Sequence, residues 1–223
     1  GYLLKLVSAQ TVTDTGSYYQ ALAVSHVLVD AASQYYATGV TLDSRSLGTL
    51  QGITSSGVTV IDGMRIYGSG FTTGILAQAG RLTSTSVYAN GTFSDSVAKL
   101  TTASPGSSIK DSYLINTHAT GDVVKVNFGV GSAVVGNKLN AVGGNCIELG
   151  AGGTNLDLTS NVCTSTTGYG ISLSDINSVY SMTDSNTDYI VTDVAHACGS
   201  CDNALNNQVI NIGSTGRTIN GTS

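Results

Sequence analysis

The chain has 223 residues, of which 41% are hydrophobic and 10% are charged, and its formal net charge is −5. This length fits one domain, and no window of the sequence approaches the ~18 uninterrupted apolar residues of a membrane-spanning helix. The nine basic residues are spread along the chain and form neither a phosphate-neutralising patch nor a polybasic stripe. We therefore expect no membrane insertion and no nucleic-acid partner.

Residues 1–37 do not follow the pattern of the rest of the chain. The segment GYLLKLVSAQTVT (residues 1–13) alternates loosely like a strand. The segment SYYQALAVSHVLVDAASQYY (residues 17–36) fits either one helix or two strands broken near Ser25. The sequence predicts that residues 1–37 are an N-terminal cap, or a strand or helix extension, covering the end of the repeating region that follows.

Residues 38–194 repeat a unit that contains a short apolar strand, a polar turn rich in Gly, Asn, Ser and Thr, and a second short apolar strand. A strand period of roughly 20–50 residues without helices between the strands indicates a stacked solenoid. We predict an all-β fold, a single-stranded parallel β-helix of about seven or eight rungs. The predicted buried positions are Ile66, Val87, Leu114, Leu139, Val162 and Met182 in the first strands, and Ile75, Val97, Val124, Ile147, Ile171 and Ile190 in the second strands.

After Val194 the repeat ends. Residues 195–223 contain one further alternating run, from Val209 to Ile212. This pattern predicts a C-terminal cap over residues 195–223, which closes the second end of the solenoid.

The segment GVTVIDGMRIYGSG (residues 57–70), followed by V-x-x-N and G-I-x-L units, resembles the right-handed parallel β-helix proteins. These are the pectate-lyase-like enzymes and the tailspikes and tail fibres of bacteriophages. The resemblance covers roughly residues 38–194 and rests on the repeat pattern. It implies a right-handed helix and an extracellular or virion-surface protein that binds or cleaves polysaccharide along the solenoid face. The calcium-holding Asp cluster and catalytic Arg that pectate lyases share have no counterpart that we can place on this sequence.

One strip of outward-facing residues has the composition of a sugar-binding surface. Alternation of side chains along the first strands places Arg65, Tyr67, Tyr88, Tyr113 and Lys138 on this strip. Aromatic rings flanked by hydrogen-bond donors suit sugar rings, whose apolar faces are rimmed by hydroxyls. Tyrosines in adjacent rungs also stabilise a sheet without any ligand. We predict these five residues as binding residues for a polysaccharide or another surface glycan, with the structural role as the alternative.

The catalytic candidates are Glu148, Asp184 and Asp188. Glu148 is the only glutamate and is predicted to point outward beside Lys125, so it is either a general acid or the partner of a cross-rung ion pair. Asp184 and Asp188 lie in turns, where aspartate is common, but they could supply a carboxylate pair or oxygen ligands for calcium. Calcium is the only cofactor that the sequence leaves open, and no residue is predicted as a metal ligand.

The cysteines Cys146, Cys163, Cys198 and Cys201 are disulfide candidates. Cys146 and Cys163 fall in neighbouring rungs, where a bridge requires that their Cα atoms approach closely enough. Cys198 and Cys201 form a CGSC motif near the end of the chain, which fits a small disulfide loop or a free pair. Disulfides would indicate an oxidising, extracellular setting.

Three functions remain open at this point. The first is a binding module such as a tailspike or tail-fibre segment, which recognises cell-surface polysaccharide and assembles as a homo-oligomer, a trimer or a filament. The second is a structural adhesin or filament subunit that assembles through its ends. The third is a polysaccharide lyase or glycosidase. The low charge and the absence of a clear acid pair favour the binding module and leave enzymatic activity undecided.

Overall fold

The computed structural model describes residues 1–101, 106–127, 131–150, 156–168 and 170–173, and the backbone of short strands between residues 180 and 212. Every regular element in this part of the chain is a strand. In chain order the strands are β1 (Tyr2–Leu6), β2 (Thr11–Thr15), β3 (Tyr18–Ala21), β4 (Ser25–Val29), β5 (Gln34–Thr38), β6 (Thr41–Ser55), β7 (Val58–Asp62), β8 (Arg65–Ala77), β9 (Leu82–Thr85), β10 (Tyr88–Leu100), β11 (Ser108–Lys110), β12 (Tyr113–Asn116), β13 (Asp122–Val126), β14 (Ala133–Val135), β15 (Lys138–Ala141), β16 (Ile147–Leu149), β17 (Leu156–Asp157), β18 (Val162–Ser165), β19 (Ile171–Leu173), β20 (Tyr180–Met182), β21 (Asn186–Thr187), β22 (Tyr189–Thr192), β23 (Cys198–Cys201) and β24 (Val209–Ile212).

The strands stack into two sheets whose neighbouring strands run parallel, which confirms the predicted parallel β-solenoid. The larger sheet forks because β6, β8 and β10 pass through a bend and belong to both branches. The first branch continues from them through β12, β15, β18 and β21, and the second branch through β13, β16, β19, β22 and β24. The smaller sheet follows the order β2-β5-β7-β9-β11-β14-β17-β20-β23. With β3, which pairs with β6, the first branch contains eight described strands, which is roughly consistent with the predicted seven or eight rungs.

Each complete rung has three strand positions, whereas the sequence predicts two. The additional position is the smaller sheet. Its strands carry Ser and Thr at inward positions, such as the fully buried Thr59 in β7 and Ser84 in β9. Short segments with polar residues facing inward resemble turns in the sequence, and this is why the third strand was not predicted.

The buried rows differ from the predicted ones at several positions. In the first branch Ile66 is aligned with Ala89, Leu114, Leu139 and Cys163, so Val87 and Val162 are one or two residues away from the buried row. Val162 points outward and is 45% exposed. In the second branch Ala98 replaces Val97 in the row, and Met182 belongs to β20 of the smaller sheet. In each case the sequence analysis assigned a valine or methionine to the buried row, whereas the structure has a smaller or less apolar residue nearby at that position.

The first 37 residues continue the same stack. The segment for which the sequence allows one helix or two strands forms β3, β4 and part of β5, which pair in parallel with β6 and β7. Val27 and Val29 face the core on either side of half-buried Leu28, so the two-residue period of a strand describes this segment. The imidazole of His26 stacks on Phe71 with 5.6 Å between ring centroids, which ties these strands to the core.

Two corners of the solenoid depend on specific residue types. At the corner before the first branch, the Asn137 side chain accepts a bond from the Ser112 amide and donates to the Ile109 carbonyl and to the Asn161 side chain. At the corner between the branches, Gly121, Gly144 and Gly168 stack so closely that a Cβ atom on each would overlap the carbonyl oxygen of the rung before. Buried amides and glycines therefore hold successive turns in register.

Beyond residue 194 the structure describes two strands. The backbone of β23 pairs with β20, and that of β24 pairs with β22. The other residues of the predicted C-terminal cap lie outside the described part of the chain, and so do Asp184 and Asp188. Nowhere in the described part does a helix have the length and apolar character needed to cross a bilayer.

Candidate functional site

The five residues predicted as a sugar-binding surface lie together on the outer face of the first branch, and we call them the tyrosine strip. Arg65, Tyr88, Tyr113 and Lys138 occupy equivalent positions in β8, β10, β12 and β15. Since neighbouring strands are about 4.8 Å apart, this row extends about 14 Å along the solenoid axis. Tyr67 lies two residues after Arg65 in β8 and therefore begins a second, adjacent row. The sequence placed Tyr67 and Tyr88 in one row, whereas the structure aligns Tyr88 with Arg65. The five residues share one surface, and their binding role stays a prediction.

The side chains of the strip contact one another in a continuous chain. The rings of Tyr67 and Tyr88 are 5.7 Å apart at an interplanar angle of 49°. Tyr88 and Tyr113 are 5.6 Å apart and nearly perpendicular, and the Lys138 ammonium lies 4.9 Å from the centroid of the Tyr113 ring. Edge-to-face rings and cation–π pairs of this kind restrict side-chain motion. The tyrosines thus support the sheet and also present hydroxyls and ring edges in fixed positions.

The strip is positively charged and contains no carboxylate. Arg65 and Lys138 are exposed, and neither forms an ion pair with a described residue. The second row continues from Tyr67 through Asn90, Ile115 and Asn140, none of which is charged.

The second row begins beside an acidic residue, Asp43, which is aligned with Tyr67 one strand earlier in the stack. Its carboxylate accepts hydrogen bonds from the Tyr18 hydroxyl, the Gln20 amide and the Arg45 guanidinium. The Tyr18 hydrogen bond, together with those from Gln20 and Arg45, lowers the pKa of Asp43. Its negative charge is therefore already compensated within this cluster.

A second polar cluster lies on the outer face of the second branch. Lys125 contacts Asp95 at 2.9 Å, Asp122 at 3.0 Å and Glu148 at 3.6 Å. Asp95 also contacts Lys99 at 2.9 Å. The cross-rung ion pair predicted between Lys125 and Glu148 is confirmed, although it is the longest of these contacts.

The pKa of Glu148 is raised to about 7. Burial is the main cause, and a hydrogen bond and the negative charge of Asp122 raise the pKa further, while Lys125 opposes them. Two lysines serve three carboxylates in this cluster, so one carboxyl group is left with weak compensation. Glu148 is that group because Lys125 lies closer to the other two.

The sequence missed the two aspartates of this cluster. Asp95 lies where the register between β8 and β10 shifts, between Phe93 and Ser96, so strand alternation does not predict its direction. Asp122 begins β13 and reads as a turn residue in the sequence. The alignment of Lys99, Lys125 and Glu148 in one row is the signal that could have located the cluster.

The carboxylates of this cluster converge on one cation. Lys125 lies within 3.6 Å of Asp95, Asp122 and Glu148, which is the arrangement of a structural ion-pair network. Among the described residues no three His, Cys, Asp or Glu side chains form a group that could hold a metal ion. Asp184 and Asp188 lie outside the described residues, so a carboxylate pair between them stays a prediction.

The two described cysteines do not form a disulfide. Cys146 and Cys163 are buried, and the bridge considered between them is not formed. The Cys146 thiol lies 3.3 Å from the Thr164 carbonyl and 3.6 Å from that of Leu139. Cys198 and Cys201 belong to β23, of which the backbone alone is described, so their pairing stays a prediction.

Comparisons with models of protein families, with curated proteins and with solved structures found no match to this chain. The structure itself shows a parallel β-solenoid, and a fold does not by itself determine a function. The function has to be argued from the two surface clusters.

Proposed function

We propose that the tyrosine strip binds a polysaccharide, and that the protein is a glycan-recognition module of an extracellular or virion surface. The observation that carries this proposal is the continuous contact from Tyr67 through Tyr88 and Tyr113 to Lys138. These side chains supply aromatic carbon, hydroxyls and an ammonium group along one line. Sugar chains require this combination because their rings are apolar on the faces and polar at the rim.

The shape of the strip suits a linear chain molecule. Its main row follows the solenoid axis, so a polysaccharide laid along it would meet an equivalent position at each strand spacing, about every 4.8 Å. The side chains stand on hydrogen-bonded strands and are held by one another, which lowers the entropy lost when a ligand binds. A binding surface on mobile loops would lose more conformational entropy when a ligand binds.

The test is binding of the full chain to an array of bacterial and eukaryotic glycans, followed by titration of the best ligand. Tyr88→Ala removes the ring that contacts both Tyr67 and Tyr113, and we expect affinity to fall about tenfold, as for a lost aromatic anchor. The matched control is Tyr36→Ala, which removes a half-buried tyrosine from β5 in the smaller sheet and should leave binding unchanged.

Two results would overturn the proposal. One is an array on which the wild-type protein binds no glycan. The other is an unchanged affinity in Tyr88→Ala when its melting temperature shows that the variant is folded. Either result would assign the tyrosines to sheet stabilisation, the alternative that the sequence leaves open.

A further inference from the structure

We propose that the ligand of the tyrosine strip is an acidic polysaccharide whose carboxylate or sulfate groups are bound at the two ends of the strip by Arg65 and Lys138. This inference rests on the proposed function and adds the charge of the ligand and the spacing of its charged groups. It follows from the position of two cations without an ion-pair partner among the described residues at the two ends of an aromatic row.

The outward-facing lysines of the second branch are compensated within the protein. Lys125 contacts Asp95, Asp122 and Glu148, and Lys99 contacts Asp95, all within 3.6 Å. These four contacts leave the cluster without a free positive charge for an anionic ligand. An anion placed there would have to displace a carboxylate that the fold already holds in position.

The cations of the strip have no such partners. Arg65 and Lys138 are exposed, form no ion pair with a described residue, and stand at the two ends of the row that contains Tyr88 and Tyr113. Lys138 is held over the Tyr113 ring, so its ammonium is positioned before any ligand arrives. Arg65 offers a planar guanidinium, which can bind a carboxylate or sulfate through two hydrogen bonds.

The spacing of these cations defines the ligand further. Three strand spacings separate Arg65 from Lys138, so their backbone positions are about 14 Å apart along the axis. The Lys138 ammonium lies over the Tyr113 ring, so a ligand that uses both cations needs two anionic groups separated by up to about this distance, joined by an uncharged stretch that lies over the tyrosines. A polysaccharide with an acidic sugar in each short repeat meets this requirement.

The net charge of the whole protein restricts where a polyanion can bind. The formal net charge is −5, so the surface as a whole repels a polyanion at low ionic strength. Binding of an acidic polysaccharide therefore has to occur at a local cluster of uncompensated cations. We expect a moderate loss of affinity as salt is added, since two ionic contacts are screened.

The experiment uses the full chain and three acidic polymers, hyaluronan, alginate and chondroitin sulfate. Each is titrated beside its neutral counterpart, in which the carboxyl groups are reduced and any sulfates are removed. We expect at least one acidic polymer to bind, its neutral form to bind at least about tenfold more weakly, and affinity to fall with added sodium chloride.

Single variants test whether Arg65 and Lys138 are the cations that bind the acidic polymer. Arg65→Gln and Lys138→Gln should each weaken binding of the acidic polymer about tenfold and reduce its salt dependence, because each removes one charge-assisted contact. The control Lys110→Gln removes an exposed lysine from β11 in the smaller sheet and should change neither quantity.

The outcomes separate this inference from the proposed function. If a neutral polymer binds as tightly as its acidic form and Tyr88→Ala weakens both, the strip binds sugar and the inference about charge is wrong. The inference is also wrong if Lys110→Gln weakens binding as much as the strip variants do. If no polymer of either kind binds, the inference and the proposed function fail together.

Discussion

Glu148 shows how the environment of one residue changes the pH at which it ionises. Burial would raise the pKa of Asp95 too, but its contacts with Lys99 and Lys125 outweigh burial and lower the pKa. Glu148 has a longer contact with Lys125 and lies beside Asp122, so its pKa rises to about 7 instead. Within one cluster, the pKa of Asp95 is therefore lowered and the pKa of Glu148 is raised.

Glu148→Gln should change how the stability of the protein depends on pH. The raised pKa means that the folded protein binds the Glu148 proton more tightly than the unfolded chain, for which the ordinary pKa is 4.5. The stability that this group contributes is therefore present below pH 4.5 and is lost as the pH rises to about 7. Glutamine keeps the neutral form, so the variant should lose less stability than the wild type between pH 4.5 and pH 8.

Thermal melting at half-unit pH steps measures this difference. We expect the melting temperatures of the two proteins to differ little at pH 4, where Glu148 is protonated in both the folded and the unfolded state. Above pH 7 the variant should melt at the higher temperature. Parallel curves over the whole range would show that Glu148 titrates normally in the folded protein.

At the scale of elements, buried amides fix how one turn lies on the next. Asn137 occupies the middle of a row that begins at Ser112 and ends at Asn161, between the smaller sheet and the first branch. Its side chain satisfies the Ser112 amide and the Ile109 carbonyl, which are otherwise buried groups of the backbone. The corner therefore depends on a side chain with both a donor and an acceptor.

Asn137→Ala should lower the free energy of unfolding by about 2–4 kcal/mol, because two buried backbone groups lose their partners. The control is Asn140→Ala in the same rung, where the side chain is half-buried on the outer face of β15 and the expected loss is below about 1 kcal/mol. Urea unfolding monitored by circular dichroism measures both. Equal losses in the two variants would contradict a special role for the corner amides.

Much of the element architecture could be predicted from the sequence, and the errors have physical causes. The repeat of apolar strands and polar turns was sufficient to identify the parallel solenoid. The row positions of Ala89 and Cys163 were missed because their side chains are less apolar than the nearby valines. In a closely packed interior a small residue can occupy a row position, so hydrophobicity alone does not determine the register.

The whole molecule is a stack in which the described strands pair with those of the rungs before and after them. Stability in such a stack is the sum of the rungs and of the interfaces between neighbours. A defect at one interface should therefore loosen the adjacent rungs more than distant ones. The glycine corner provides a position where such a defect can be introduced.

Gly144→Ala should destabilise the protein by about 3 kcal/mol, because the new methyl group overlaps the Gly121 carbonyl oxygen and the turns must separate. We expect amide hydrogen exchange to accelerate in β12, β13, β15 and β16 and to change little in β1 to β5. Val142→Ala, at an exposed position of the same turn, is the control. Uniform acceleration along the chain would show that the stack unfolds as a single cooperative unit.

The outward direction of the strip residues follows from alternation on regular strands, but the row of Tyr88 was misassigned because Ala89, not Val87, is aligned with Ile66. The carboxylate cluster could not be predicted, because it lies beside the bend where the register between β8 and β10 shifts. The charge balance of the two surfaces also required the structure, since it depends on which acid reaches which lysine.

The alignment of Arg65, Tyr88, Tyr113 and Lys138 relates the spacing of two charged residues to the number of rungs between them. The distance between the backbone positions of the two cations is a whole number of strand spacings. Inserting one complete rung between β10 and β12 would lengthen this distance by about 4.8 Å and would also separate the rings of Tyr88 and Tyr113, which are now in contact. Under the proposed function, the length of ligand that fits the strip is set by the number of turns between these two charges, and duplication of a rung would change it in single steps.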